Sequence, residues 1–337
     1  MTTPTRISYG LLIGTLILIG VLQLGAPLLA VLFSFFALRK LLLLTKTKWL
    51  ALLLFLLVAA GIAFSAIYFT RAAVRAIPEV AEHSIPSASA WAQARQIELP
   101  FTDFESLRAF VVDTIKEEAH YVQNVANFAR SATAAVVFAL IGIVVAISLF
   151  FNSQIDLYRH AHTTKNNLYS VLTDEITARF RDFYRSFATV MGAQITISLI
   201  NTLFTCIFAL VIRLPHAPLA IAVTFLCGLL PIVGNLVSNT IIVFLAFTIS
   251  LKMAVVALIF LIVIHKFEYF LNSKIIGDRI RNPIWLTLIA LIIGERLMGI
   301  PGMVLAPVVL NYLRVEMSNI EVRPAPAGKR EAPTGIL

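Results

Sequence analysis

Long apolar runs set the pattern of the chain. Trp49–Phe69, Ala132–Phe151, Ala188–Ile212 and Met253–Leu271 are each almost free of charge. At about 1.5 Å per residue, each can cross a hydrocarbon core of about 30 Å. Lipid offers backbone groups no partners, so such runs must be helices. Two shorter runs, Tyr9–Gly25 and Pro27–Leu38, are broken at Gly25–Pro27 and predict a helical hairpin. The first run carries only Arg6 ahead of it and is followed by no A-x-A site, so it is expected to be a retained span, not a cleaved leader.

Two polar sections separate these runs. In 101–130, Phe104, Leu107, Phe110, Val111 and Ile115 recur near helical spacing, which predicts an amphipathic helix. In 152–187, Leu168, Leu172, Ile176, Phe180, Phe183 and Phe187 form a second stripe leading into the span at Ala188. The last third of the chain behaves differently. His216–Leu230 is short and stops at Pro231, before Ile232–Ser250. Ile284–Ile293 and Gly302–Leu313 are split by a stretch containing Glu295, Arg296, Gly299 and Pro301. Two runs broken by Gly and Pro predict hairpins that dip into the bilayer and return.

The predicted fold is an all-α integral membrane protein with about six to eight spans plus these re-entrant hairpins. Its sections are N-terminal membrane helices (1–70), an amphipathic extramembrane section (71–130), a span (131–151), a cytoplasmic amphipathic section (152–187), a C-terminal transport core (188–315) and a disordered Pro/Ala/Gly-rich tail (316–337).

Composition agrees with this reading. The chain is 59% hydrophobic and 13% charged, with a mean hydropathy of +0.89, against about 25% charged for a soluble domain. The net charge of +9 is the usual consequence of Lys and Arg held on the cytoplasmic side, so no nucleic-acid partner is inferred. With both termini inside, 17 of the 27 basic residues fall inside and eight outside. That bias predicts cytoplasmic N- and C-termini in a prokaryotic cytoplasmic membrane.

Chemistry-bearing residues are few. Gln194, Ser198, Asn201 and Thr205 follow 3–4 spacing, a polar stripe expected to face protein or a water-filled cavity. Around the first break, Pro231 removes a backbone donor, Gly234 permits a close turn, and Asn235 and Asn239 supply neutral hydrogen-bonding groups; they serve either as a binding site or as interhelical packing. Glu295 and Arg296 can sit at a wet hairpin tip, pair with neighbouring helices, or line a substrate path with Gly299 and Gly302. His265, Glu268 and Asn272 lie at i, i+3 and i+7, a proton or cation relay or an interfacial collar, with Lys266 beside them. Cys206 and Cys227 form no CxxC pair, His160 and His162 are a weak metal signal, and no phosphate-cradling loop or catalytic motif occurs. No cofactor, metal site or enzymatic activity is expected.

Several of these residues, in order, resemble the autoinducer-2 exporter family of membrane transporters. They are Pro231-x-x-Gly234, then Glu268 and Asn272, Ile275-Ile276-Gly277 and Pro283, and finally Gly294 and "GIPGMVLAP" with Gly299, Gly302, Ala306 and Pro307. The likeness is specific over about residues 186–315; upstream only the layout agrees. It departs at Asn235, where proline is common, and at Glu295–Arg296, where small or apolar residues are usual.

The resemblance implies export of the furanone autoinducer-2 or a related small polar solute, or else sodium(lithium)/proton antiport, in an oligomeric assembly. Membrane lipids, a small polar solute or cation and further copies of the chain are the partners it implies. A non-transporting scaffold acting through 71–130 is the contrasting expectation. The site itself is expected between the two broken hairpins.

Overall fold

The computed structural model describes residues 3–93, 96, 105–106, 108–109, 119–152, 164, 167–230, 233–275 and 283–320. Most of the amphipathic stretch 101–118, His160 and His162, Pro231, the basic loop 276–282 and the tail from 321 lie outside the described residues.

All regular structure among the described residues is helical. The helices are α1 (Thr3–Val21), α2 (Gly25–Thr45), α3 (Lys48–Gln93), α4 (Ala119–Phe151), α5 (Leu168–Val211), α6 (Ala217–Gly228), α7 (Val233–Phe247), α8 (Leu251–Ile275), α9 (Ile284–Met298) and α10 (Ile300–Ser318). Five contain stretches long and apolar enough to cross a membrane: α1, α2, Lys48–Ala72 of α3, α5 and α10. Large apolar side chains such as Ile17, Leu57, Phe64, Leu140 and Val144 stand exposed on their outer faces. In water such a surface would be a liability; against lipid it is the expected exterior. The molecule is a polytopic helical membrane protein.

Two boundaries differ from the sequence pattern. The apolar run ending at Phe69 does not end a helix, because α3 continues unbroken to Gln93. Hydropathy changes near residue 70, but the helix runs on through an Ala-rich stretch and past Pro78 and Pro86, although proline disfavours a helix interior, so the change of polarity marks no turn. Likewise α4 begins at Ala119, fusing the end of the polar section with the following span. The break after α1 is present, with Gln23 in a left-handed conformation at φ 53°. Beyond it the two N-terminal helices take different partners: α1 lies along α5, and α2 along α4 and α3.

α5 organises the interior. It is 44 residues long, roughly 66 Å, and Asn167 caps its start by accepting from the Ser170 amide at 2.8 Å. Its first half enters a core with Leu12 of α1, Leu32 of α2 and Val304, Leu305 and Val308 of α10, built around Phe183, Phe187 and Met191. Its second half enters another core, where Phe208 and Ala209 meet Ala220, Ile242, Leu245 and Leu261 of α6, α7 and α8. A third core joins α2, α3 and α4 through Leu38, Ala51, Phe55 and Phe150.

Both broken regions fold as helix pairs on this spine. α6 doubles back along α5, α7 along α6, and α8 along α7. At 12 and 15 residues, α6 and α7 reach only about 18 and 22 Å, short of a full crossing. α9 and α10 pack closely on each other, and α10 also lies against α5. Gly299 divides them at φ 63°, ψ −140°, a backbone region that only glycine enters freely.

Candidate functional site

The site grows from the polar stripe on α5. Where α6 ends at Gly228, its last carbonyls have no partner within the helix. The Gln194 amide donates to the Gly228 carbonyl at 2.7 Å, and the Ser198 hydroxyl donates to that of Phe225 at 2.7 Å. The stripe therefore faces protein: Ser198, Asn201 and Thr205 are all buried. These carbonyls, freed by the break, are occupied by side chains, so they are not spare ligands for a solute.

α7 then lies back along α6. A Cβ added to Gly234 would fall inside the carbonyl of Cys227, so only glycine lets the start of α7 lie this close to the end of α6. That closeness places Asn235 beside α8. Its amide nitrogen donates to both Glu268 oxygens, at 2.8 and 2.7 Å. One turn beyond Ser198 on α5, the Asn201 amide donates to Glu268 Oε2 at 3.0 Å. Glu268 is 9% exposed.

Three helices thus hold one buried carboxylate with neutral amides. Among the described residues no basic side chain pairs with it. Asn201 Oδ1, also buried, has no hydrogen-bond partner among the described residues. The carboxylate and this amide oxygen together suit a small hard cation, since carboxylate and carbonyl oxygens bind such ions. By rise along the helices, Asn201 lies about 15 Å from the end of α5, Asn235 about 18 Å from the end of α7 and Glu268 about 10 Å from the end of α8.

Not every residue singled out from the sequence joins this cluster. His265 is exposed on the groove side of α8 and does not bond to Glu268. Asn239 is half-buried one turn beyond Asn235 and lines the same groove. The Asn272 side chain and Pro231 lie outside the described residues. Glu295 and Arg296 are 53% and 85% exposed and approach each other only to 4.0 Å. Gly294 and Gly302 have a packing role: a Cβ on either would meet the other's carbonyl, so they set the close crossing of α9 on α10. Each of the two hairpins docks on α5, the first through the stripe and the second through the Phe187 core.

A second polar cluster lies at the other end of α5. Arg179 pairs with Glu316 of α10 and, at 3.2 Å, with Glu175. The Tyr9 hydroxyl of α1 donates to Glu316, and the Arg179 guanidinium sits 4.4 Å over the Tyr9 ring. Sequence reasoning counted Arg179 only toward sidedness. The Glu175–Arg179 spacing of four was the one local sign of it.

A bundle of apolar helices with two helix breaks, and a buried carboxylate beside the first of them, points to the class of multi-pass membrane transport proteins. The family model described as "AI-2E family transporter" matches residues 9–320. The chain belongs to that family. It is also similar to a protein of Bacillus subtilis (strain 168) named "Putative transport protein YdbI", with 32% identity over 152 residues. That match covers 44% of this chain and 43% of the relative, so the chain spans less than half the length of the curated relative it matches.

Proposed function

We propose that this chain is a secondary transporter of a prokaryotic cytoplasmic membrane, with both termini inside. It exports a small polar solute, such as autoinducer-2 or a related metabolite, against inward movement of a proton or monovalent cation taken up at Glu268. One observation carries the reading: a buried carboxylate is held by the neutral amides of Asn201 and Asn235, with no basic partner among the described residues, beside an amide oxygen that has no hydrogen-bond partner among them. The short α6–α7 pair, with both ends on one side, supports re-entry from the outer face. Assembly into a homo-oligomer would cover part of the exposed apolar exterior.

The same oxygen pair favours a second reading, sodium(lithium)/proton antiport with no organic solute. Proteoliposome flux separates the two. Under a pH gradient, export of the furanone that is lost in Glu268→Gln supports the first reading. Sodium flux lost in the same variant, with no furanone movement, supports the second. If Glu268→Gln matches wild type for both, Glu268 is not the coupling group and the proposal fails. The scaffold alternative predicts that outcome, with function lost only on deletions in 71–130.

A further inference from the structure

An open groove of about 750 Å³ runs between α7 and α8, within the range of roughly 300–1,000 Å³ typical of small-molecule sites. Its two walls are antiparallel, so the start of one meets the end of the other. Asn235 and Asn239 near the start of α7 face His265 and Lys266 near the end of α8. Phe244 and Phe247 near the end of α7 face Leu258 and Ile262 of α8. The groove is therefore polar and basic at one end and wholly apolar over the rest, about 18 Å from Asn235 to Phe247.

We propose that this groove binds one anionic phospholipid, its head-group phosphate on Lys266 and one acyl chain along Phe244, Phe247, Leu258 and Ile262. The charge supplies the argument for that occupant. Lys266 is exposed and, among the described residues, no carboxylate pairs with it. It lies about 22 Å along α8 from Leu251, where its flexible stem can carry the ammonium to the head-group level of the far leaflet. A compact ammonium beside amide and imidazole donors is suited to a phosphate. A tail running from there toward Phe247 covers side chains such as Phe244, Leu258 and Ile262, which are about half exposed. The proposal does not rest on the transport reading, although the two sites adjoin: Asn235 lines the groove and also donates to Glu268.

The test uses the full chain in nanodiscs of phosphatidylcholine doped with phosphatidylglycerol, with retained lipid counted by native mass spectrometry. Wild type is expected to keep one phosphatidylglycerol per chain. Lys266→Gln should lower that occupancy about tenfold, a loss of about 1.4 kcal/mol. Ile262→Trp, which fills the groove from an exposed position, should displace the lipid with the melting temperature unchanged. Lys252→Gln, at the opposite end of α8, should retain it. The proposal is overturned if both groove variants hold the lipid as wild type does. It is overturned equally if phosphatidylcholine is retained as well as phosphatidylglycerol, or if Lys252→Gln loses as much. A change of subunit number in Ile262→Trp, with no change in lipid, would assign the groove to a second copy of the chain.

Discussion

Arg179 and Glu316 are 137 residues apart in sequence, yet their side chains meet in an ion pair where α5 crosses the end of α10. Both are largely enclosed, at 17% and 8% side-chain exposure. Removing one partner of such a pair strands the other, at a typical cost of about 3–5 kcal/mol. Arg179→Met should therefore lower the melting temperature strongly. Arg179→Met with Glu316→Leu should melt higher than either single variant, because no uncompensated charge remains. Thermal unfolding in detergent measures this; a double variant no better than the singles contradicts it.

Gly234 predicts a different kind of damage. An added methyl meets the Cys227 carbonyl, which is backbone and cannot rotate aside. Gly234→Ala should splay α6 from α7 and cost about 1–3 kcal/mol. It should also weaken flux, because Asn235 moves with the turn. Gly192→Ala, where a Cβ has open space, should leave melting and flux near wild type.

Asn235→Leu keeps volume but withdraws the donor that reaches both Glu268 oxygens. A hydrogen bond to a charged group contributes about 1.5–3 kcal/mol, so coupled flux should fall by at least about tenfold. Asn239→Leu, one turn away and off the carboxylate, should keep most of it. Parallel flux assays decide; equal activity in both would remove Asn235 from the site.

Gly299 and Gly302 should fail for separate reasons. Gly299→Ala has room for its methyl but must hold φ near 63°, a cost of about 1–2 kcal/mol. Gly302→Ala retains an easy helical backbone but collides with the Gly294 carbonyl. Measured melting should show that shortening Met298 to Ala, which opens space at the hairpin, relieves neither. A rescue would mean that side-chain crowding limits the turn.

Much of this was readable in the residues. Helix ends fall beside Gly234 and at Gly299 because glycine acts locally on the backbone. The α5 stripe faces protein because polar side chains in an apolar span need partners. Glu268 was legible as a residue of interest, but its partners were not. The sequence grouped it with His265 on one face. Residues three apart still differ by about 60° around a helix, enough to turn Glu268 onto α5 and leave His265 on the groove. The contact with Asn201 spans 67 residues, and no local pattern encodes such a pairing. The Arg179 cluster was hidden for the same reason. Glu295–Arg296 drew notice as charges in an apolar run, yet they stand exposed at the end of α9.

One continuous helix, α5, carries both Arg179 and Asn201, about 33 Å apart, with the fully enclosed Phe187 between them. The ion-pair cluster and the carboxylate cluster are therefore mounted on a single element, and the placement of each is tied to that helix.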